Sequence, residues 1–406
     1  MERSYARLKV TAKAERSLRR GHPWVYGEEI TEIEGGYENG DVVDVCTAKG
    51  KWLGAGFVND HSKIRVRIIS RNTNDRFDEA FFRRRVVYAL QYRRTVMGGD
   101  FHACRLIFGE ADQFPGLTVD LFEDVLVAEV LSLGIDRRKT LIFRLLTEEL
   151  EKMGVSVRAV YERSDSPLRD KEGLERVSGY AALPGLASET DGRVIITENG
   201  LRYEVDYIRG QKTGFFLDQK YNRLAAAKLA PGRRVLDCFT HTGAFALNAA
   251  RAGAAAVTAV DVSAEALRQA ERNADLNGLS DRVVFRKADV FDLLTEAAKG
   301  PREWDYIILD PPAFTKSGAT ADNAYRGYLE INRRAMQLLP RGGYLATCSC
   351  SHFMPAERFG QMLDEAARDA DVSLRQIEAR QQSPDHPILR NVPETDYLKF
   401  YLLQVV

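Results

Sequence analysis

From about residue 195 onward the chain repeats one pattern: an apolar run, a turn holding glycine or aspartate, then a helical stretch. RRVLDCFTHTGAFALNAARAG, AAVTAVDVSAEALRQAERNADLNG and WDYIILDPPAF are instances. Apolar runs with helices between them can cover both faces of a parallel sheet, so the alternation predicts a doubly wound α/β architecture. In such a sheet, ligands bind beyond the carboxyl ends of the strands. What ends each run therefore matters most, and in four successive cases it is an acid: Asp237, Asp261, Asp289 and Asp310.

A chain of 406 residues is too long for one typical core, which leaves room for further domains. Residues 5 to 71 read as short strands broken by turns, with Asn39-Gly40 and Gly50-Lys51 as hairpin turns, and predict a small β-barrel. Residues 75 to 96 read as an amphipathic connector helix with Phe77, Phe81, Val87 and Tyr88 on its apolar stripe. Between 101 and 190, strands LTVDLF, VLVAEVL and VRAVYER with a long helix stopped by Gly154 predict a compact α+β module. The expected boundaries are 1–72, 73–190 and 191–406.

Lys and Arg together number 58, as do Asp and Glu, so the net charge is zero and gives no general attraction for nucleic acid. The distribution is less even: residues 1 to 20 carry seven basic residues, and KIRVRIISR adds Lys63, Arg65, Arg67 and Arg71. Arg65 and Arg67 are the candidate RNA contacts of this basic region, against the alternative of a solvated charged face. No apolar run is long enough to span a bilayer, and the start MERSYARLKV lacks a signal-peptide core, so the expectation is a cytoplasmic protein without membrane contact. The five cysteines are scattered and odd in number, as expected of reduced thiols.

VLDCFTHTGAF places Asp237 at a strand end, then a turn with Thr240, Thr242 and Gly243 before a helix. A carboxylate there is awkward beside pyrophosphate but suits a cationic group, such as the amino acid end of S-adenosylmethionine. Asp261, with Ser263 just after it, is placed to accept from ribose hydroxyls, and Asp289 with Val290 to meet the adenine. The set resembles class I S-adenosylmethionine-dependent methyltransferases. A nicotinamide dehydrogenase would need a glycine fingerprint that this loop lacks. LDPPAF, 309–314, resembles the loop that amino- and nucleobase-methyltransferases place beside their target: Asp310 to contact cofactor and base edge, Pro311 for rigidity, Phe314 to stack on a flipped base.

GGYLATCSCSHF, 342–353, adds Cys348 and Cys350 near the same strand edge. With no second cluster, and only His352 nearby, a metal site is not expected, and the spacing is not that of a redox pair. Two readings remain on the residues alone. Cys350, nearer the carboxyl end, is either a nucleophile for cytosine C5 methylation or a core thiol in an amino-group methyltransferase acting on guanine or adenine through Asp310-Pro311-Pro312.

GQKTGFFLDQKYNR (210–223), VLDCFTHTGAF, LDPPAF, YRGYLEIN (325–332) and SCS (349–351) together resemble the RlmI type of large-subunit ribosomal RNA cytosine-C5 methyltransferase. The likeness extends through GEADQFPGLTVD and YERSDSPLRDKEG in the middle module, and through RRGHPWVY and GKWLGAGF, which is similar to a PUA RNA-binding domain. The resemblance implies a PUA domain, a central α+β domain and a C-terminal Rossmann-like methyltransferase domain. It also implies 23S rRNA as partner, S-adenosyl-L-methionine as cofactor and a possible homodimer. It makes Cys350 the nucleophile and Asp310 the acid beside the pyrimidine. The second cysteine that other RNA cytosine-C5 methyltransferases carry after Asp-x-Pro is replaced by Ala313. Lys220 and Arg223 either close over the site or form a charge pair on a helix surface.

Overall fold

The computed structural model describes residues 4–314 and 321–406. They form two compact units, one of residues up to 196 with 205–217 and 384–395, the other of 197–204, 218–383 and 396–406.

The first unit opens with a six-stranded sheet built from Arg7–Val10, Trp24–Tyr26, Ile30–Glu34, Val42–Thr47, Trp52–Val58 and Ile64–Ser70. Leu8, Val10, Val25, Val43, Val45, Val58 and Val66 fill its core. Gly50 (φ 80°) does turn the chain between the paired strands Val42–Thr47 and Trp52–Val58. Asn39-Gly40 does not make a hairpin: Arg7–Val10 lies between the two strands it joins, antiparallel to Ile30–Glu34 and parallel to Val42–Thr47. A helix at Ala12–Arg19, capped by the Thr11 hydroxyl accepting from the Ala14 amide, also interrupts the expected run of strands.

The middle of the chain forms a five-stranded sheet in the order Val177–Tyr180, Ala159–Ser164, Val125–Val130, Leu117–Phe122, Ala103–Phe108. The connector helix runs Glu79–Met97, capped by Asp78, and buries Phe81, Phe82, Val86, Ala89, Leu90, Arg93 and Met97. Its stripe is therefore displaced from the expected one, and Tyr88 is exposed. The displacement follows Arg93, which is fully buried. Its guanidinium donates to Asp112 (Nη2 to Oδ2, 2.7 Å) and to the Arg105 carbonyl, turning a nominally polar position inward.

The second unit carries a seven-stranded sheet: β1 Arg234–Cys238, β2 Ala256–Asp261, β3 Val283–Lys287, β4 Tyr306–Leu309, β5 Tyr344–Ser349, β6 Leu374–Arg380 and β7 Lys399–Val405. The spatial order is β3-β2-β1-β4-β5-β7-β6, and β1 to β5 are all parallel. β7 runs antiparallel to both its neighbours, β5 and β6. Among the described residues six α-helices accompany it: α1 Lys220–Ala227, α2 Ala244–Arg251, α3 Ala264–Leu276, α4 Val290–Ala297, α5 Ala321–Leu338 and α6 Ala356–Asp369. Leu236, Val260, Ile307, Leu309 and Leu345 from the strands pack with Leu294, Tyr328, Ile331 and Phe359 from the helices. The strand order reverses at β1 and β4, which puts the topological switch point, and the crevice, at the ends of those two strands.

Candidate functional site

The β1–α2 turn departs sharply from ordinary backbone conformation. Phe239 (φ 62°), His241 (φ 50°) and Gly243 (φ 82°) all lie in the left-handed region. For a side chain like Phe239 this costs on the order of 1–3 kcal/mol, strain that functional turns tend to hold. Gly243 ends the turn as the N-cap of α2, and a Cβ on it would come 3.0 Å from the Ala270 Cβ. Close approach as well as conformation thus requires glycine there.

Asp237 anchors this turn from below. Its Oδ2 accepts from the Thr240 hydroxyl (2.6 Å) and the Ala246 amide (2.9 Å), while Oδ1 is buried with no partner among the described residues. Burial pushes its pKa up to about 7; the hydrogen bond from Thr240 opposes this, and the nearby Asp310 charge adds to it. A buried carboxylate with one orphaned oxygen is costly unless a cationic or donor group arrives. Asp261 accepts from the His241 amide (Oδ2, 2.9 Å) and the Ser263 amide (Oδ1, 2.9 Å), which fixes the carboxylate and leaves lone pairs for further donors.

Ser263 itself is spent as the α3 cap, accepting from the Ala266 amide at 3.2 Å. Asp289 caps α4, accepting from the Phe291 and Asp292 amides, and is exposed; Val290 is buried behind it. Thr242 is buried, and its carbonyl accepts from Asn273 Nδ2 at 3.0 Å.

Asp310 follows β4 directly. Gln219 Nε2 donates to its Oδ1 at 3.1 Å, and Gln219 Oε1 accepts from Asn222 Nδ2 at 2.7 Å. Arg380 Nε in turn donates to Asn222 Oδ1 at 3.0 Å. This chain of amides aims the Asp310 carboxyl, whose pKa burial raises to about 6, against hydrogen bonding from Cys348. Pro311 is buried. Phe314 departs from its expected role: its ring sits 4.7 Å from Tyr328 and 5.9 Å from Phe291, packed toward the core instead of presented for stacking. Gly327 makes the room, since a Cβ there would be 3.2 Å from the Phe314 ring.

The two cysteines separate sharply. Cys348 lies inside β5, fully buried, and its thiol donates to the Leu309 carbonyl at 3.3 Å. Burial holds its pKa well above the ordinary thiol value. Cys350 lies one residue past the end of β5 and is half-buried, so the strand's alternation no longer binds it to the face of Cys348.

Lys220 and Arg223 are both buried, so they are not a charge pair on a helix surface; Arg223 forms a bidentate pair with Glu198 (Nε–Oε1 2.6 Å, Nη2–Oε2 2.7 Å), and its charge acts on His241 and Asp310. In the first unit Arg67 is paired with Glu172 (2.8 Å) and largely buried, and Arg65 is paired with Asp60. Each already has an anionic partner, so neither is a bare cation awaiting phosphate. Gln219, Asn222 and Lys399 escaped the sequence reading; the first two were outshone by their charged neighbours. Lys399 had a visible signal, a lysine inside the apolar run LKFYLLQV.

Residues 173–402 match the family model of S-adenosylmethionine-dependent methyltransferases, and residues 8–71 that of PUA-like domains. A ribosomal RNA large subunit methyltransferase I from Pseudoalteromonas atlantica is 40% identical over 405 residues, covering 99% of this chain and 100% of its own. This chain belongs to the ribosomal RNA large subunit methyltransferase I family. Another member, from Shewanella denitrificans, is 42% identical over 98% of this chain and 99% of its own. A solved Streptococcus mutans structure described as a SAM-dependent methyltransferase has a TM-score of 0.82 at 22% identity, covering 98% of this chain and 100% of that one. A second, described as a methyltransferase complexed with SAH, has a TM-score of 0.83 at 22% identity over the same shares of the two chains. At that identity the likeness is one of fold.

The family's cofactor is S-adenosylmethionine, and the β1–α2 turn fits it. Asp237 offers an orphaned buried oxygen to a cationic amino group, at the foot of a turn whose left-handed backbone Gly243 permits. Among the described residues no helix is long and apolar enough to cross a membrane.

Proposed function

We propose that this protein methylates C5 of a cytosine in large-subunit ribosomal RNA, with Cys350 as covalent nucleophile. The observation that carries the reading is the contrast between the two thiols at the end of β5. Cys348 is sealed within β5, while Cys350 stands half-buried just past its carboxyl end, beside the strand that Asp310 follows.

Cytosine C5 is a poor nucleophile until a group adds at C6. The Cys350 thiolate adds there, the C5=C6 π pair shifts into the C4–C5 bond, and the C4=N3 pair is taken up at N3 with a proton, making C5 enamine-like. Bound S-adenosylmethionine supplies an electrophilic sulfonium methyl. C5 then carries both methyl and hydrogen; a base, water or hydroxide from solvent, takes that proton, the C–H pair re-forms the C5=C6 bond, and the C6–S pair leaves on sulfur as the thiolate. Asp310, with its raised pKa of about 6, can present a carboxylic acid proton to N3 and an acceptor to the exocyclic amino group. Gln219 holds it in the orientation for both. Asp237, Thr240, Thr242 and Gly243 form the methionine end of the cofactor site, Asp261 the ribose end, and Asp289 with Val290 the adenine end. The PUA-like region would hold the RNA.

The test is methyl transfer from tritiated donor to unmodified ribosomal RNA, followed by nucleoside digestion. Label appears in 5-methylcytidine with the wild type and falls by roughly 1000-fold or more with Cys350→Ala. Label in a methylated purine, or 5-methylcytidine undiminished in the variant, overturns the reading in favour of an amino-group enzyme working through Asp310, Pro311 and Pro312.

A further inference from the structure

Lys399 opens β7 between buried Leu398 and Phe400, and is itself only 5% exposed. An ammonium in such a place is expensive unless its donors are satisfied and its charge is balanced. Two of its N–H groups donate to main-chain carbonyls, Ser351 at 2.6 Å and Tyr397 at 2.7 Å. Carbonyls satisfy donors but carry no charge. The antiparallel register pairs Ser349 with Lys399, which sets the ammonium across from the point where the chain leaves β5 for Cys350 and Ser351.

The charged groups acting on Lys399 are Cys350 and, more weakly, Asp396, while burial lowers its pKa to about 8. Among the described residues, the groups whose titration is shown to be linked with Cys350 are Lys399, Tyr328 and Cys348. Tyr328 and Cys348 are both held neutral by burial, which leaves Lys399 as the cation of this set.

We propose that Lys399 is the positioning residue of the nucleophile: its hydrogen bond to the Ser351 carbonyl fixes the Cys350 segment, and its ammonium stabilises the Cys350 thiolate. The inference rests on the reading of Cys350 given above. Ionisation is balanced simply: the S–H electron pair stays on sulfur, the proton leaves to solvent, and the ammonium keeps its three protons while compensating the new charge. A β-strand lysine thereby becomes part of the reaction without touching the base.

Alkylation of Cys350 by iodoacetamide as a function of pH tests this on the full chain, with Cys350→Ala as the blank. In Lys399→Met, which removes charge and donors, the midpoint of reactivity is expected to rise by roughly 1–3 pH units. Lys399→Gln, which keeps donors for the two carbonyls, should rise similarly, whereas Lys399→Arg should stay near the wild type. Thermal melting and cofactor binding by calorimetry establish that each variant is folded. An unchanged midpoint in folded Lys399→Met, or in Lys399→Gln if the former does not fold, overturns the proposal. Alkylation needs no RNA and no methyl transfer. A negative result therefore leaves the C5 reading standing, and failure of that reading leaves the thiol titration measurable.

Discussion

Asp237 is a carboxyl group at odds with its surroundings, buried with one oxygen orphaned among the described residues. Its folded value of about 7 lies above the ordinary 3.8, so the folded state holds the proton more tightly than the unfolded state does. The stability this group allows is present at pH below about 4 and is lost as pH rises toward 7. Asp237→Asn should therefore raise the stability of the ligand-free protein at pH 8 by on the order of 1–4 kcal/mol, with no difference at pH 4, as read by thermal melting. The same variant should lose at least about tenfold in cofactor affinity by calorimetry, because the cationic amino group loses its charge partner. The two cysteines make a second contrast at this scale. Cys348→Ala should cost about 1 kcal/mol in urea denaturation and lower methyl transfer without abolishing it, since it deletes a buried contact and the thiol's hydrogen bonds to the Leu309 carbonyl and Asp310. Cys350→Ala should keep stability and abolish transfer. Two residues apart in sequence, they sit in different environments, because Cys350 lies one residue beyond the strand end.

At the scale of elements, the turn before α2 and the strand Ile64–Ser70 carry the clearest consequences. Gly243→Ala imposes a left-handed residue and a 3.0 Å contact with Ala270. A loss of about 1–2 kcal/mol in urea denaturation is expected, together with weakened cofactor binding as the turn shifts. Arg67→Ala strands the buried Glu172 carboxylate and should cost about 3 kcal/mol, whereas Arg65→Ala, on an exposed pair, should cost under about 1 kcal/mol. If Arg67→Ala leaves stability untouched, its ion pair with Glu172 is not the structural contact described here. The parallel strands were legible in the sequence because burial on both faces writes them as unbroken apolar runs. The helix Ala12–Arg19 was not, because only Ala14 and Leu18 of its eight residues are buried, too few to show a period. Asn39-Gly40 announced a turn correctly and a hairpin wrongly. Nothing local reveals that a strand thirty residues earlier inserts itself between the two it joins.

Across the whole molecule, the acids at the strand ends carried the reading of the cofactor site, since the rule that ligands bind at the carboxyl edge depends on topology alone. What stayed hidden depended on side-chain direction: Phe314 turned into the space left by Gly327, Gln219 aimed at Asp310, and Lys399 brought against the Cys350 segment by antiparallel pairing. Such contacts join residues 13 to 91 positions apart, or meet only through a sheet neighbour, and no periodicity encodes them. A net charge of zero likewise hides how the basic residues are used, because several of them are consumed in pairs within the protein. The covalent step remains the centre of the account, and RNA carrying 5-fluorocytidine examines it most directly. Fluorine at C5 cannot leave as a proton does, so an enzyme that attacks C6 stays joined to its substrate after the methyl is transferred. Incubation of the protein with such RNA and S-adenosylmethionine should give a complex that survives denaturation, mapped by mass spectrometry to Cys350 and absent from Cys350→Ala. Methyl transfer to ordinary RNA with no such adduct, or an adduct on another residue, would contradict the mechanism.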